Sequence, residues 1–149
     1  MKLFATMTVA VLAGMAVAET PRTALTALGQ DLKMVQEDSN TCQTAKQVTA
    51  RATYPVNPTS KVKAVGSLSF FSKKVANAST FETMIHSSAK KNGFVSPDVW
   101  KGKNEFRIRA YINESTPSYY YYFIAVARQV AGSKASPEGY LCVAVLTAK

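Results

Sequence analysis

The chain has 149 residues, with 18 Lys and Arg against 9 Asp and Glu, for a net charge of +9. That length suits one compact domain with a real core. A single histidine and two cysteines cannot complete a zinc site, and there is no P-loop, Gly-rich dinucleotide motif, nucleophile elbow or acidic calcium loop, so no cofactor or metal is expected.

The first element is an export signal. Lys2 gives a positive start, and Leu3 to Val17 is apolar except for Thr6, Thr8 and Gly14. Ala16-Val17-Ala18 is the small-x-small pattern of a signal peptidase site, which places cleavage after Ala18. The run is shorter than the roughly 20 residues that span a bilayer, and no cysteine stands at the cleavage point to take a lipid. Residues 19–149 are then one domain, in the periplasm or outside the cell. Cys42 and Cys142 meet an oxidising compartment there and are expected to form a disulfide.

Residues 21–37 predict an amphipathic helix: Thr20 caps it, Pro21 suits its first position, and Leu25, Leu28, Leu32 and Val35 form one stripe. Asp38-Ser39-Asn40 ends it, and Cys42 follows at once. Residues 46–54 alternate weakly as a strand through Val48, Ala50, Ala52 and Tyr54, and Pro55 and Pro58 turn the chain. Residues 61–71 fit two periods. Val62, Ala64, Gly66, Leu68 and Phe70 step by two, while Val62, Val65, Leu68 and Phe71 step by three. Gly66 and the neighbouring serines weaken a helix, so a strand is expected. Residues 80–92 predict a second helix, with a Ser79/Glu82 capping box, an apolar face of Phe81, Met84, Ile85 and Ala89, Lys90 and Lys91 at its negative end, and Asn92-Gly93 as the stop. A loop over residues 94–103 carries Ser96-Pro97 and Trp100.

Three strands close the chain: 105–112, 119–130 and 140–147. In the first, Phe106, Ile108, Ala110 and Ile112 alternate with Glu105, Arg107, Arg109 and Tyr111, which reads as a buried face and a charged outer face. In the last, Cys142 shares a face with Ala144 and Leu146, and the N-terminal helix is the expected cover of that face. The fold class is α+β: an antiparallel sheet of about five strands, including a C-terminal three-stranded meander, with an N-terminal and a central helix packed on it. Two strands, a helix and three strands is an order that resembles PAS-like and profilin-like sheets. The likeness is topological and carries no shared motif.

The charge is uneven. Residues 46–109 hold twelve basic and three acidic side chains, while residues 19–45 are net acidic. Lys101, Lys103, Arg107, Arg109 and Tyr111, with Trp100 beside them, form the expected contact face. Arg107 and Arg109 lie two apart on one strand and share a side. A basic surface attracts polyanions, and the partners expected are an anionic polymer, a lipid headgroup or an acidic protein. Nucleic acid is disfavoured by export and by the lack of a recognised module. Trp100 serves either as an anchor for its loop or as a contact residue.

Catalytic signals are weak by comparison. His86 is five residues, or about 140°, from Phe81 on the helix, which puts it off the apolar stripe and exposed, whereas a triad needs it buried against a carboxylate. The acids are scattered, and Glu82 is accounted for by capping. Tyr119 and Tyr121 point to one face and Tyr120 and Tyr122 to the other, as packing residues of a strand. Asn77-Ala78-Ser79 and Asn113-Glu114-Ser115 match the glycosylation triplet, which matters only in a eukaryotic source. The expectation is an exported basic binding or interaction domain without catalytic activity. The alternatives are a small hydrolase using His86, Asp98 or Glu105, and a PAS-like ligand sensor with an apolar pocket between sheet and helix.

Overall fold

The structure is a computed structural model that describes residues 19–38, 40–43, 62–102, 106–128 and 137–148. Its elements are α1 (Glu19–Asp31), β1 (Val35–Gln36), β2 (Val62–Ser72), α2 (Ala78–Lys91), β3 (Phe94–Val95), β4 (Phe106–Asn113), β5 (Tyr119–Arg128) and β6 (Glu138–Ala148). The strands form one six-stranded sheet in the order β1-β2-β6-β5-β4-β3, antiparallel at every pairing. The α+β class is the observed one. The sheet differs in detail from the expected five strands. Two-residue strands form both edges, and the closing strand β6 is central, paired with β2 on one side and β5 on the other. The strand expected over residues 46–54 lies outside the described residues.

α1 buries Leu25 and Leu28 completely, but it ends at Asp31, six residues before the predicted end at residue 37. Lys33 takes a left-handed conformation (φ 55°). Its N–H donates to the Gln30 carbonyl at 3.0 Å, and the Met34 N–H donates to the Gly29 carbonyl at 2.9 Å. These are the paired bonds of a Schellman ending, with Met34 buried as its apolar contact. The residue in the left-handed position is a lysine rather than glycine or asparagine, so the stop is silent in the sequence. Val35 leaves the helix for β1 and is 65% exposed, not the fourth member of a buried stripe. Gly29 is required inside α1 because a Cβ there would overlap the buried ring of Phe70.

The strand expected over residues 61–71 is β2, Val62–Ser72, and its double periodicity has a structural cause. The register of β2 against β6 shifts between Ala64 and Gly66, a β-bulge that inserts one residue. Val65 therefore packs on the same cluster as Leu68 and Phe70.

α2 has Asn77 as its N-cap, with the side chain accepting from the Thr80 N–H at 2.8 Å. The Ser79/Glu82 capping box is not formed. Asn77 stands two residues earlier in an extended conformation and satisfies the first turn itself. The apolar face keeps Phe81, Ile85 and Ala89, but Met84 is half-exposed and Ser88 is buried in its place. The Ser88 hydroxyl bonds the Asp31 carboxylate, which also pairs with Lys91 at 3.1 Å, so a small polar cluster joins the ends of the two helices.

The sheet is buried on both faces. On one, Leu68, Phe70, Tyr111, Tyr121, Phe123, Ala125, Leu141, Val143 and Val145 meet Leu25 and Leu28 of α1 and Phe81, Ile85 and Ala89 of α2. On the other, Ile108, Tyr122, Ile124, Val126, Cys142 and Leu146 cluster with Cys42. Cys42 and Cys142 are disulfide-bonded, with Cα atoms 5.4 Å apart. The bridge exists as expected, but its place in the fold does not match. Cys142, Ala144 and Leu146 lie on the face opposite the helices, and α1 covers Leu141, Val143 and Val145 instead. The bridge fixes the helical turn at residues 40–43 against that opposite face. The Arg128 guanidinium reinforces it by donating to the Thr41 hydroxyl at 2.9 Å. No helix among the described residues is long and apolar enough to cross a membrane.

Candidate functional site

β4 lies under α2 with the side that reads as its charged outer face. Arg107, Arg109 and Tyr111 point toward the helix, while Ile108 and Ala110 belong to the opposite cluster. The alternation was correct and the assignment of inside and outside was not. The arginines can lie inward because the helix and the following loop supply partners for them.

On α2, Glu82, His86 and Lys90 follow at steps of four and form one stripe. Arg107 meets its first member. Its Nε donates to Glu82 Oε1 at 3.3 Å, Nη1 to the Gly102 carbonyl at 2.7 Å and Nη2 to the Trp100 carbonyl at 3.2 Å. One guanidinium thus ties α2, β4 and the loop together, and Glu82 serves as an ion-pair partner rather than a cap. Gly102 (φ 119°) is needed beside it, since a Cβ there would overlap the Phe106 carbonyl oxygen.

His86 is half-buried, with Nδ1 2.9 Å from the Tyr111 hydroxyl. This departs from the exposed position read from the helix angle, because Tyr111 reaches up from the sheet to the flank of α2. Burial, together with the positive charges of Arg109 and Lys90, holds the imidazole below its ordinary range. Tyr111 is only 1% exposed. Burial pushes its phenol up to about 12, against an opposing pull from Arg109, so the hydroxyl stays protonated at neutral pH.

Arg109 is held differently from Arg107. Its Nε donates to the Ser96 hydroxyl at 3.2 Å, and its Cζ lies 5.5 Å from the centre of the Tyr111 ring. Among the described residues no carboxylate pairs with it. Lys101 pairs with Asp98 at 3.0 Å and forms an isolated bridge with Ile108. Burial alone would raise the Asp98 carboxyl, but the Lys101 bond, the Val99 N–H and the charges of Lys101 and Arg109 outweigh it and hold it below its ordinary range. Trp100 packs partly buried against the helix-side core, in the anchoring position. Lys103 and Glu105 lie outside the described residues.

Of the expected contact residues, then, Arg107 and Lys101 are engaged with carboxylates, Tyr111 is core, Trp100 anchors its loop, and Arg109 makes no direct ion pair among the described residues, its charge acting on Asp98 without one. Sequence reasoning did not place Lys90 and Arg109 as the charges that act on His86. The spacing of four from Glu82 to His86 and from His86 to Lys90 was the available signal. Between loop and sheet, on the face away from the helices, lies a cleft of about 330 Å³ lined by Pro97, Asp98, Lys101, Ala110, Tyr111, Ile112 and Tyr120. The helix–sheet space, where a PAS-like pocket would sit, is filled by packed side chains of the larger cluster. The two glycosylation triplets differ in context. Asn77 is exposed as a cap, whereas Asn113 is 1% exposed with its amide donating to the Asn92 carbonyl at 3.1 Å.

His86 gives the site a measurable pH dependence. Its folded pKa lies below the ordinary value of 6.5. Between those two values the unfolded chain binds more protons, so stability rises with pH across that window. The contribution is complete above 6.5 and is lost as pH falls through the folded value. Nuclear magnetic resonance titration of the ring should find a midpoint below 6.5, and Arg109→Ala should move it upward. A folded midpoint at or above 6.5 contradicts the geometry.

No known family model, no curated protein and no solved structure matches this chain.

Proposed function

We propose that this chain is an exported binding domain without catalytic activity, and that it engages an anionic group of its partner through Arg109 and Lys90 on either side of His86. The observation that carries the reading is the difference between the two arginines. Arg107 is saturated by Glu82 and two carbonyls, whereas Arg109, also half-buried, has a hydroxyl and a ring but no carboxylate among the described residues. A cation held by the fold without a direct ion pair is suited to an incoming anion. The partner of His86 is a phenol rather than a carboxylate, which favours binding over the triad chemistry of a hydrolase. Export rests on the N-terminal signal and is compatible with the Cys42–Cys142 bridge.

The test is binding of a sulfated polysaccharide and of anionic lipid vesicles across a salt series. Affinity should fall steeply with salt, and an Arg109→Ala, Lys90→Ala double variant should lose most of it. No binding at low salt, or full binding by the double variant, refutes the reading.

A further inference from the structure

The cleft between the loop and the outer face of β4 has more built into it than an apolar hollow. Its floor is Ala110, Ile112 and Tyr120, and its wall is Pro97, Asp98 and Lys101. The Tyr111 ring lies on the other side of the sheet, so what Tyr111 offers the cleft is its backbone.

The backbone there is open. Ile108 exchanges both of its main-chain hydrogen bonds with Lys101, at 2.7 and 2.8 Å. Val95 faces Ile112, and the Glu114 N–H donates to the Gly93 carbonyl. Residues 108, 112 and 114 therefore turn their N–H and C=O to the outer edge, and by the alternation of an antiparallel strand so does Ala110. Opposite Ala110 the loop arches away over residues 96–100, and among the described residues no loop backbone group pairs with it. The gap is one residue long, because Val95 closes one side and Lys101 the other. A peptide strand cannot run through it.

Two charges stand at its mouth. Asp98 bonds Lys101 through Oδ1, and its Oδ2 is buried with no hydrogen-bond partner. A buried acceptor without a donor is unfavourable. Val99, beside Asp98 in the arch, is 62% exposed.

We propose that this cleft binds a free apolar L-α-amino acid, a site separate from Arg109 and Lys90. The ligand takes the missing place opposite Ala110. Its ammonium donates to the Ala110 carbonyl and to Asp98 Oδ2, and its carboxylate accepts from the Ala110 N–H and from Lys101. An antiparallel orientation to β4 points the carboxylate toward Lys101, as the charges require. Its side chain covers Ile112 and Tyr120. The volume of about 330 Å³ is at the small end for ligand sites and suits a leucine-sized molecule.

The test is titration of the purified protein with L-leucine, followed by amide chemical shifts and calorimetry, with N-acetyl-L-leucine amide as the uncharged control. Saturable shifts at Ala110 and Lys101 are expected with leucine and not with the control. Asp98→Asn should weaken leucine binding by about tenfold or more, the loss of one charge-assisted hydrogen bond. Ile112→Trp, at a half-exposed position, fills the cleft without touching the core and should abolish binding, which keeps the proposal testable if Asp98→Asn does not fold. Equal responses to leucine and control, shifts confined to other residues, or unchanged affinity in Ile112→Trp would overturn it. Salt-dependent polyanion binding should be unaffected by Ile112→Trp, so the two sites fail independently.

Discussion

Changing Cys142 to serine, or reducing the bridge, is expected to lower stability by about 2–5 kcal/mol. Cys42 and Cys142 are 100 residues apart in sequence and both are buried. Opening the bridge restores conformational freedom to almost the whole unfolded domain, which is the chain-entropy account of the effect. It also releases the helical turn at residues 40–43 from the outer face of the sheet, where Cys42 packs with Tyr122, Ile124 and Val126. Because the bridge lies opposite the helices, the loss should be uneven. Hydrogen exchange should quicken first in the turn over residues 40–43, and the amides of α1, held through Leu25 and Leu28, should stay protected longer. Urea denaturation with and without reductant measures the first effect, and exchange under native conditions the second. A reduced protein of unchanged stability refutes the account. Equal loss of protection in that turn and in α1 refutes the placement.

The second large effect is at Tyr111. Tyr111→Ala should cost about 3–5 kcal/mol, as for other large aromatic truncations in cores. The ring stacks at 4.4 Å from Phe123 and meets Phe94 edge-on at 6.5 Å, so truncation leaves a cavity in the helix-covered core. Tyr111→Phe keeps the ring and removes only the bond to His86. It should cost about 1 kcal/mol and shift the His86 titration. The pair of variants separates two roles for this residue. A ligand-stacking tyrosine would lose binding in both variants with little change in stability. A core tyrosine loses several kcal/mol of stability in the first and only about 1 kcal/mol in the second. Urea denaturation at pH 7.5, where His86 is neutral in both states, gives the comparison without a titration effect.

Local features were largely legible in the sequence. The second helix ends at Asn92-Gly93 with Lys90 and Lys91 in its last turn, as the stop signals require. The strand expected over residues 61–71 is observed as Val62–Ser72, and even its ambiguity was informative, since the mixed period marks the bulge at Val65. The pairing of Cys42 with Cys142 followed from there being only two cysteines. The separation of Tyr119 and Tyr121 from Tyr120 and Tyr122 followed from strand alternation.

Where the sequence misled, the deciding contact lay far along the chain. Alternation places Cys142 with Leu146 and Arg107 with Tyr111, but it is symmetric between the two faces and carries no information on which one a helix covers. The apolar residues of β6 fit either side, so the helices could be assigned to the wrong face. Arginines read as solvent-facing because their partners, Glu82, Gly102 and Trp100, are brought to them by tertiary packing. Glu82 read as a cap because Ser79 stands at the right spacing, yet Asn77 starts the helix earlier and leaves Glu82 available to Arg107. The end of α1 was hidden because a lysine occupies the left-handed position, held there by the burial of Met34. What sequence alone fixes is the second helix, the long strands of the described residues, the disulfide and the pairing of side chains by face. The tertiary structure decided which face is inside, which charges are paired, and that among the described residues Arg109 makes no direct ion pair, because each of these depends on which residues the sheet order and the loop after α2 bring together.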